Sequence, residues 1–255
     1  MEKKTVLITG ASSGIGAGCA RIFAKNGHKV ILNARSEDKL KALKQELEEK
    51  YQAKVLLLPF DVRDRQKAHD SIATLPDEFK AIDVLVNNAG LVYGVDKESE
   101  GSLDEWDIMI DTNIRALLAM TRMVVPGMIE RGRGHVINLG SIAGDYTYPG
   151  GSVYCATKAA VKMLSDGLRI DLVDTPIRVT TIKPGLVETN FSVVRYRGDK
   201  QAADNVYRGI HPLNGDDIAE VIYWTASVPE YMQIAEVLVM PTNQATGTIV
   251  YRKPE

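Results

Sequence analysis

The stretch Thr5-Val6-Leu7-Ile8-Thr9-Gly10-Ala11-Ser12-Ser13-Gly14-Ile15-Gly16 decides the fold. Its first five residues are apolar or β-branched and read as a buried strand, three glycines follow at the spacing G-x-x-x-G-x-G, and residues 17–26 continue as a helix. Strand, glycine turn and helix in that order begin a βαβ unit. Absent side chains let a ligand come close to the backbone there, and the unpaired N–H groups and dipole of the helix start favour negative charge such as a pyrophosphate. Gly10, Ser12, Ser13, Gly14, Ile15 and Gly16 are therefore candidate cofactor contacts. Alone the turn is a weak signal, because position 19, where a third glycine or alanine belongs, is Cys19. A tight βα turn with no ligand reads the same way.

Outward from this turn the pattern repeats. Short apolar runs lie at 6–8, 30–32, 55–58, 84–86, 136–139, 179–182 and 237–239, separated by amphipathic stretches such as 39–50, where Leu40, Leu43 and Leu47 fall at helical spacing. The alternation predicts an α/β protein built as a single Rossmann-type doubly wound parallel sheet with helices on both faces, and it puts functional groups just after the strands. No repeat or linker divides residues 1–255, which are expected to form one domain, with 190–215 as the one irregular region. The charged face of 36–50 reads as a solvated surface laced with i, i+4 pairs.

Composition narrows the function classes. With 45% hydrophobic and 25% charged residues the chain can build a sizeable core, and a net charge of −2 without a basic cluster argues against nucleic-acid or lipid partners. Cys19 and Cys155 have no CxxC spacing, so neither a disulfide framework nor a metal site is expected, and a reducing cytoplasm fits. The apolar run near the N-terminus is too short for a signal segment or a membrane span.

The second strand ends in Arg35-Ser36 without the carboxylate that would bind an adenosine ribose hydroxyl, and a guanidinium there suits a 2′-phosphate. NADP is therefore expected over NAD, with Glu37 and Asp38 as nearby competitors for that position. Asp61 and Val62, after the third strand, are placed to bracket the adenine. Asn88, Ala89 and Gly90, after the fourth, make another small-residue turn by the cofactor.

Tyr154 and Lys158 stand four apart, so a helix puts them on one face, where an ammonium can lower a phenol pKa that is ordinarily near 10. The same spacing occurs at Tyr93/Lys97 and Tyr196/Lys200, but glycines mark both as loops, whereas Tyr154 opens a periodic segment. Ser141 follows the strand at 136–139 and is placed to polarise a substrate oxygen; alone it reads equally as a capping serine. No G-x-S-x-G elbow or HExxH motif is present, and His135 reads as a strand-start residue.

Together TGASSGIG (9–16), NNAG (87–90), Asn113, Ser141, YCATK (154–158) and PGLVET (184–189) resemble the short-chain dehydrogenase/reductase family over nearly the whole chain. The resemblance implies Tyr154 as acid/base and Lys158 as the residue that holds the nicotinamide ribose and lowers the Tyr154 pKa. It further implies that Ser141 orients the carbonyl, that Asn113 supports a proton relay, and that Pro184, Gly185, Val187 and Thr189 hold the carboxamide. IDTNI (110–114), the run 126–144, PGGSVYCATKA (149–159) and FSVVRYRGD (191–199) are similar to the subgroup of NADP-dependent 3-hydroxy acid dehydrogenases, also described as serine or allo-threonine dehydrogenases. That likeness implies oxidation of a 3-hydroxy acid or reduction of the 3-oxo acid under a lid at 190–215. Of the lid arginines Arg195 and Arg197, Arg195 is the candidate carboxylate clamp. The family resemblance also implies a homotetramer through helices at 104–131 and 154–173, and the tail 239–251, which keeps apolar residues, is expected to pack on a neighbouring subunit. A 3-oxoacyl or other carbonyl reductase, a non-catalytic NADP sensor and a nucleotide-free scaffold are the alternatives.

Overall fold

The computed structural model describes residues 3–253. In chain order it contains β1 (Thr5–Thr9), α1 (Gly14–Lys25), β2 (Lys29–Ala34), α2 (Glu37–Tyr51), β3 (Val55–Pro59), α3 (Arg65–Ala73), α4 (Asp77–Lys80) and β4 (Val84–Asn87). Then come α5 (Leu103–Ile110), a π-helical segment (Asp111–Ala116), α6 (Leu117–Arg131), β5 (Gly134–Leu139), α7 (Ser152–Asp171) and β6 (Ile177–Pro184). The chain closes with β7 (Val187–Glu188), α8 (Asn190–Arg195), α9 (Lys200–Asn205), β8 (Leu213–Asn214), α10 (Gly215–Ser227) and β9 (Glu236–Val239).

All seven apolar runs are strands of one parallel sheet in the order β3-β2-β1-β4-β5-β6-β9. Every residue of β1 is buried, as expected of a parallel strand covered on both faces. The period of two sends Val6, Ile8, Val30 and Leu32 into a core with α1, α2 and α10. Leu7, Ile31 and Leu85 point the other way, into a core with α3, α4, α6 and the end of α7. The chain winds outward from β1 to β3 and then returns to β4 on the other side of β1. The strand order therefore reverses between β1 and β4, and a crevice opens beyond their carboxyl ends.

Two expectations change. The irregular stretch 190–215 holds two six-residue helices, and its ends are tied where β7 pairs in parallel with β8. Helices this short have too few turns to show periodicity; their signals are the caps, Thr189 accepting from the Phe191 N–H and Asp199 from the Ala202 N–H. The segment 104–131 is helical throughout but passes through the π-helical turn, which inserts a residue into the helical count. On α2 the solvent face carries Lys41–Glu37, Lys44–Glu48 and Lys50–Glu46 pairs, as read from the sequence. Cys19 and Cys155 are buried free thiols, and His135 is a buried strand residue bonded through Nε2 to the Thr180 hydroxyl. Among the described residues no helix is long and apolar enough to cross a membrane, and no His, Cys, Asp or Glu cluster could hold a metal.

One buried hydroxyl connects the fold to the crevice. Thr9 Oγ1, at the end of β1, accepts the backbone N–H groups of Asn88 at 3.1 Å and Ala89 at 3.0 Å, fastening the turn after β4. Thr9→Val keeps the shape and strips the one acceptor that both N–H groups share. A loss of about 2 kcal/mol in urea unfolding is expected, and an unchanged midpoint would count against this role.

Candidate active site

The glycine turn closes on itself. A Cβ at Gly16 would overlap the Gly10 carbonyl oxygen and the Asn88 side chain, whose Nδ2 donates to the Thr9 carbonyl at 2.8 Å and the Gly10 carbonyl at 3.1 Å. Ser13 caps α1 in extended backbone without a side-chain cap bond, and no acidic residue lies in the first turn. Free N–H groups and no competing carboxylate are what a pyrophosphate needs, so these residues fit a dinucleotide. The close-packing glycine sought at position 19 is Gly18, where a Cβ would crowd Gly215 and Asp216 at the start of α10.

From this turn a cleft runs both ways. At one end lie Arg35, Ser36, Asp61 and Val62; at the other lie Ser141, Tyr154, Lys158 and the strip from Pro184 to Thr189; Asn88, Ala89 and Gly90 line its middle. Gly16, Asn113 and Arg195 stand behind its wall. Glu37 and Asp38 do not line it, and Glu37 is paired with Lys41 at 2.9 Å, which removes the nearer competitor of Arg35. Lys39 and Arg63 do line it and were not anticipated. Arg63 holds the Asp61 carboxylate with both ends of its guanidinium, foremost by hydrogen bonding, and keeps it below the usual carboxylate range.

Helix α7 brings Tyr154 and Lys158 to one buried face. Lys158 Nζ donates to the Leu139 carbonyl at the end of β5 at 2.7 Å and lies 5.9 Å from the Tyr154 ring centre. Ser141 also lines the cleft while serving as a cap, its hydroxyl accepting the Ala143 N–H at 3.1 Å. Phe191 of α8 packs edge-on against Tyr154 at 5.6 Å. Asn113 sits in the π-helical turn, where its Nδ2 donates to the Leu91 carbonyl and the Thr157 hydroxyl and its Oδ1 accepts the Leu91 N–H. Thr157 in turn donates to the Tyr154 carbonyl, so Asn113 ties the 91 loop to α7.

Burial dominates the acid–base properties. It pushes the Tyr154 hydroxyl above its ordinary range, Tyr148 adds to the rise, and a Ser141 hydrogen bond and the Arg195 charge oppose it. Lys158 is pushed down by burial to about 8. The groups that favour the Tyr154 phenolate are thus Ser141 and Arg195, while the Lys158 ammonium is turned toward the Leu139 carbonyl.

Arg195 and Arg197 divide their work. Arg197, at φ +52°, pairs with Asp96 at 2.5 Å and Glu105 at 2.8 Å, latching the end of α8 to α5 and to the loop before it. Arg195 donates to the Tyr148 hydroxyl at 3.3 Å and stacks on its ring, and its carbonyl accepts the Gly94 N–H. Tyr148 and Phe191 escaped the sequence reading, since each meets its partner only through the fold.

The family model described as short chain dehydrogenase matches residues 4–199. The chain is 48% identical over 254 residues, 99% of this chain and 98% of the relative, to the NADP-dependent 3-hydroxy acid dehydrogenase of Schizosaccharomyces pombe. It is 44% identical over 250 residues, 98% of each chain, to the serine 3-dehydrogenase of Agrobacterium fabrum. The solved closed form of serine dehydrogenase complexed with NADP+ superposes with a TM-score of 0.91 at 42% identity, covering 98% of this chain and all of that one, 100%.

Burial of Lys158 has a measurable consequence. Below about pH 8 the folded and unfolded chains both hold its proton, and the folded state bears the cost of a buried charge. Between about 8 and the ordinary 10.5 only the unfolded chain keeps the proton, so this group adds stability as pH rises. Lys158→Met should raise the unfolding free energy at pH 7 by roughly 1–2 kcal/mol after the lost hydrogen bond is set against it, with the gain shrinking toward pH 10. A variant less stable at pH 7, or a difference independent of pH in urea titrations, would contradict this.

Proposed function

The chain belongs to the short-chain dehydrogenases, and on that footing we propose that it is an NADP-dependent oxidoreductase interconverting the 3-hydroxyl of a short 3-hydroxy acid and the corresponding 3-oxo acid. The observation that carries this reading is one cleft joining Arg35, which forms no ion pair among the described residues, to Ser141, Tyr154 and Lys158. L-serine, L-allo-threonine and 3-hydroxypropionate are the substrate types that fit, the relatives' names agreeing with the chemistry.

The residues that would hold NADP are the glycine turn and the start of α1 for the pyrophosphate, and Arg35 with Ser36 for the 2′-phosphate. Asp61 and Val62 would take the adenine, and Pro184, Gly185, Val187 and Thr189 the carboxamide. When bound, NADP supplies the hydride acceptor for the carbinol carbon. Tyr154 takes the hydroxyl proton on oxidation and returns it on reduction, general acid–base work that needs its phenolate stabilised. Ser141 donates to the same substrate oxygen and to the developing negative charge on it. Lys158 reaches the ribose and releases its proton readily, because burial has brought its value to about 8. Both amide hydrogens of Asn113 are given to protein acceptors, so a relay past this residue uses its main chain. Arg195 is the carboxylate receptor. Assembly as a homotetramer through α6 and α7 belongs to the same reading, with Met163 and Ile170 exposed on α7 for a neighbour to cover; a monomer mass in light scattering would remove it.

Initial rates with NADP and NAD on the three acids test the proposal. NADP-dependent turnover is expected, with Tyr154→Phe lowering kcat roughly 10²–10⁴-fold and Arg35→Ala raising the KM for NADP about tenfold while sparing NAD. No turnover with either cofactor would refute it.

A further inference from the structure

Tyr148 has no part in the chemistry above, yet the turn before α7 is built to seat it. Its ring lies on Gly151, where a Cβ would overlap the ring carbons, and Gly150, at φ +69°, lets the turn press its backbone against the Val95 carbonyl. No other residue fits either position without moving the ring or the loop. The ring belongs to the small apolar cluster around Tyr154, Cys155 and Phe191.

Arg195 rests on this ring. Its guanidinium carbon is 5.0 Å from the ring centre, within cation–π range, and its Nη1 donates to the Tyr148 hydroxyl at 3.3 Å. Its Nε is buried and has no hydrogen-bond partner. Among the described residues no carboxylate pairs with Arg195, whereas Arg197 two positions later has two. Arg195 stands just behind the wall that Phe191 and Val194 of the same helix form, near enough for its charge to favour proton loss from Tyr148, Tyr154, Cys155 and Tyr207. A partly buried cation with an unused N–H group and no counter-ion is incomplete until an anion reaches it.

We propose that Tyr148 is a specificity-determining positioning residue, holding the Arg195 guanidinium by stacking and by its hydroxyl so that the unused N–H groups receive the substrate carboxylate beside Tyr154. This rests on the 3-hydroxy acid reading and deepens it. Arginine has many rotamers, and among the described residues the head of Arg195 has its hydrogen bond and its ring contact with Tyr148 alone; a stacked ring removes that freedom before the substrate arrives. Acids are then favoured over neutral alcohols of the same size by a preset receptor.

The test compares 3-hydroxypropionate with 3-hydroxypropanamide, using NADP, in the wild type, Tyr148→Phe, Tyr148→Leu, Arg195→Ala and the Tyr148→Leu/Arg195→Ala double variant, with NADPH fluorescence reporting an intact cofactor cleft. Tyr148→Leu should lower the acid-to-amide ratio of kcat/KM by about tenfold, mainly through the KM for the acid. Tyr148→Phe, which keeps the ring, should lose about threefold, and the double variant should be no worse than Arg195→Ala alone. If Tyr148→Leu fails to bind NADPH, the Tyr148→Phe ratio decides. A wild type that oxidises both substrates, with variants that lose both equally or lose activity additively, overturns the role of Tyr148 and leaves the 3-hydroxy acid reading standing. A wild type that oxidises neither overturns both.

Discussion

The burial of one ammonium group organises the site. Lys158 has its hydrogen-bond acceptor at the end of β5, and the elements around it are those that make the cleft: the Gly90 turn after β4, Asn113 in the π-helical turn, and Tyr154 one turn earlier on α7. Burying a charge against a single carbonyl is unfavourable, which is why its pKa falls to about 8. The surrounding cores, with Leu7, Ile31 and Leu85 fully buried on one side of the sheet and Val6, Ile8 and Val30 on the other, offset that cost. Under the proposed function, stability is given up at the place where a proton moves, the usual exchange at a reactive centre.

Charge is arranged along the cleft in the same spirit. Arg35 at one end and Arg195 near the other form no ion pair among the described residues, whereas Lys41, Lys44 and Lys50 of α2 each hold a carboxylate. Between them the turn after β1 presents backbone N–H groups with no acidic residue to compete. A molecule with phosphates in its middle and at one end, beside a small acid at the other, matches that order. The switch point between β1 and β4 fixes where these groups converge, and Thr9 with Asn88 holds the two turns together across it.

Much of this was legible in the chain itself, for physical reasons that differ by element. The inner strands were readable because parallel strands covered on both faces need uninterrupted apolar runs, and the half-exposed edge strand β9 keeps a short run of its own. Tyr154 and Lys158 were readable because a spacing of four has one geometric meaning on a helix. Arg35 was readable as the side chain standing where an acid would otherwise be. The helices α8 and α9 were not, being too short to carry a period. The π-helical turn at Asn113 was not, since one inserted residue leaves a helical pattern nearly unchanged. The division between Arg195 and Arg197 needed Asp96, Glu105 and Tyr148, which lie far away in sequence and arrive only with the fold.

The central claim is that a hydride passes between a 3-hydroxy acid and NADP while Tyr154 moves the proton. Its most direct test is oxidation of 3-hydroxypropionate carrying deuterium at carbon 3, with the mass of the reduced nicotinamide recorded. The account predicts one deuterium in the NADPH formed, and a slower rate than with unlabelled acid when the chemical step is limiting. Reduced cofactor without deuterium, or no reduction at all, would contradict it.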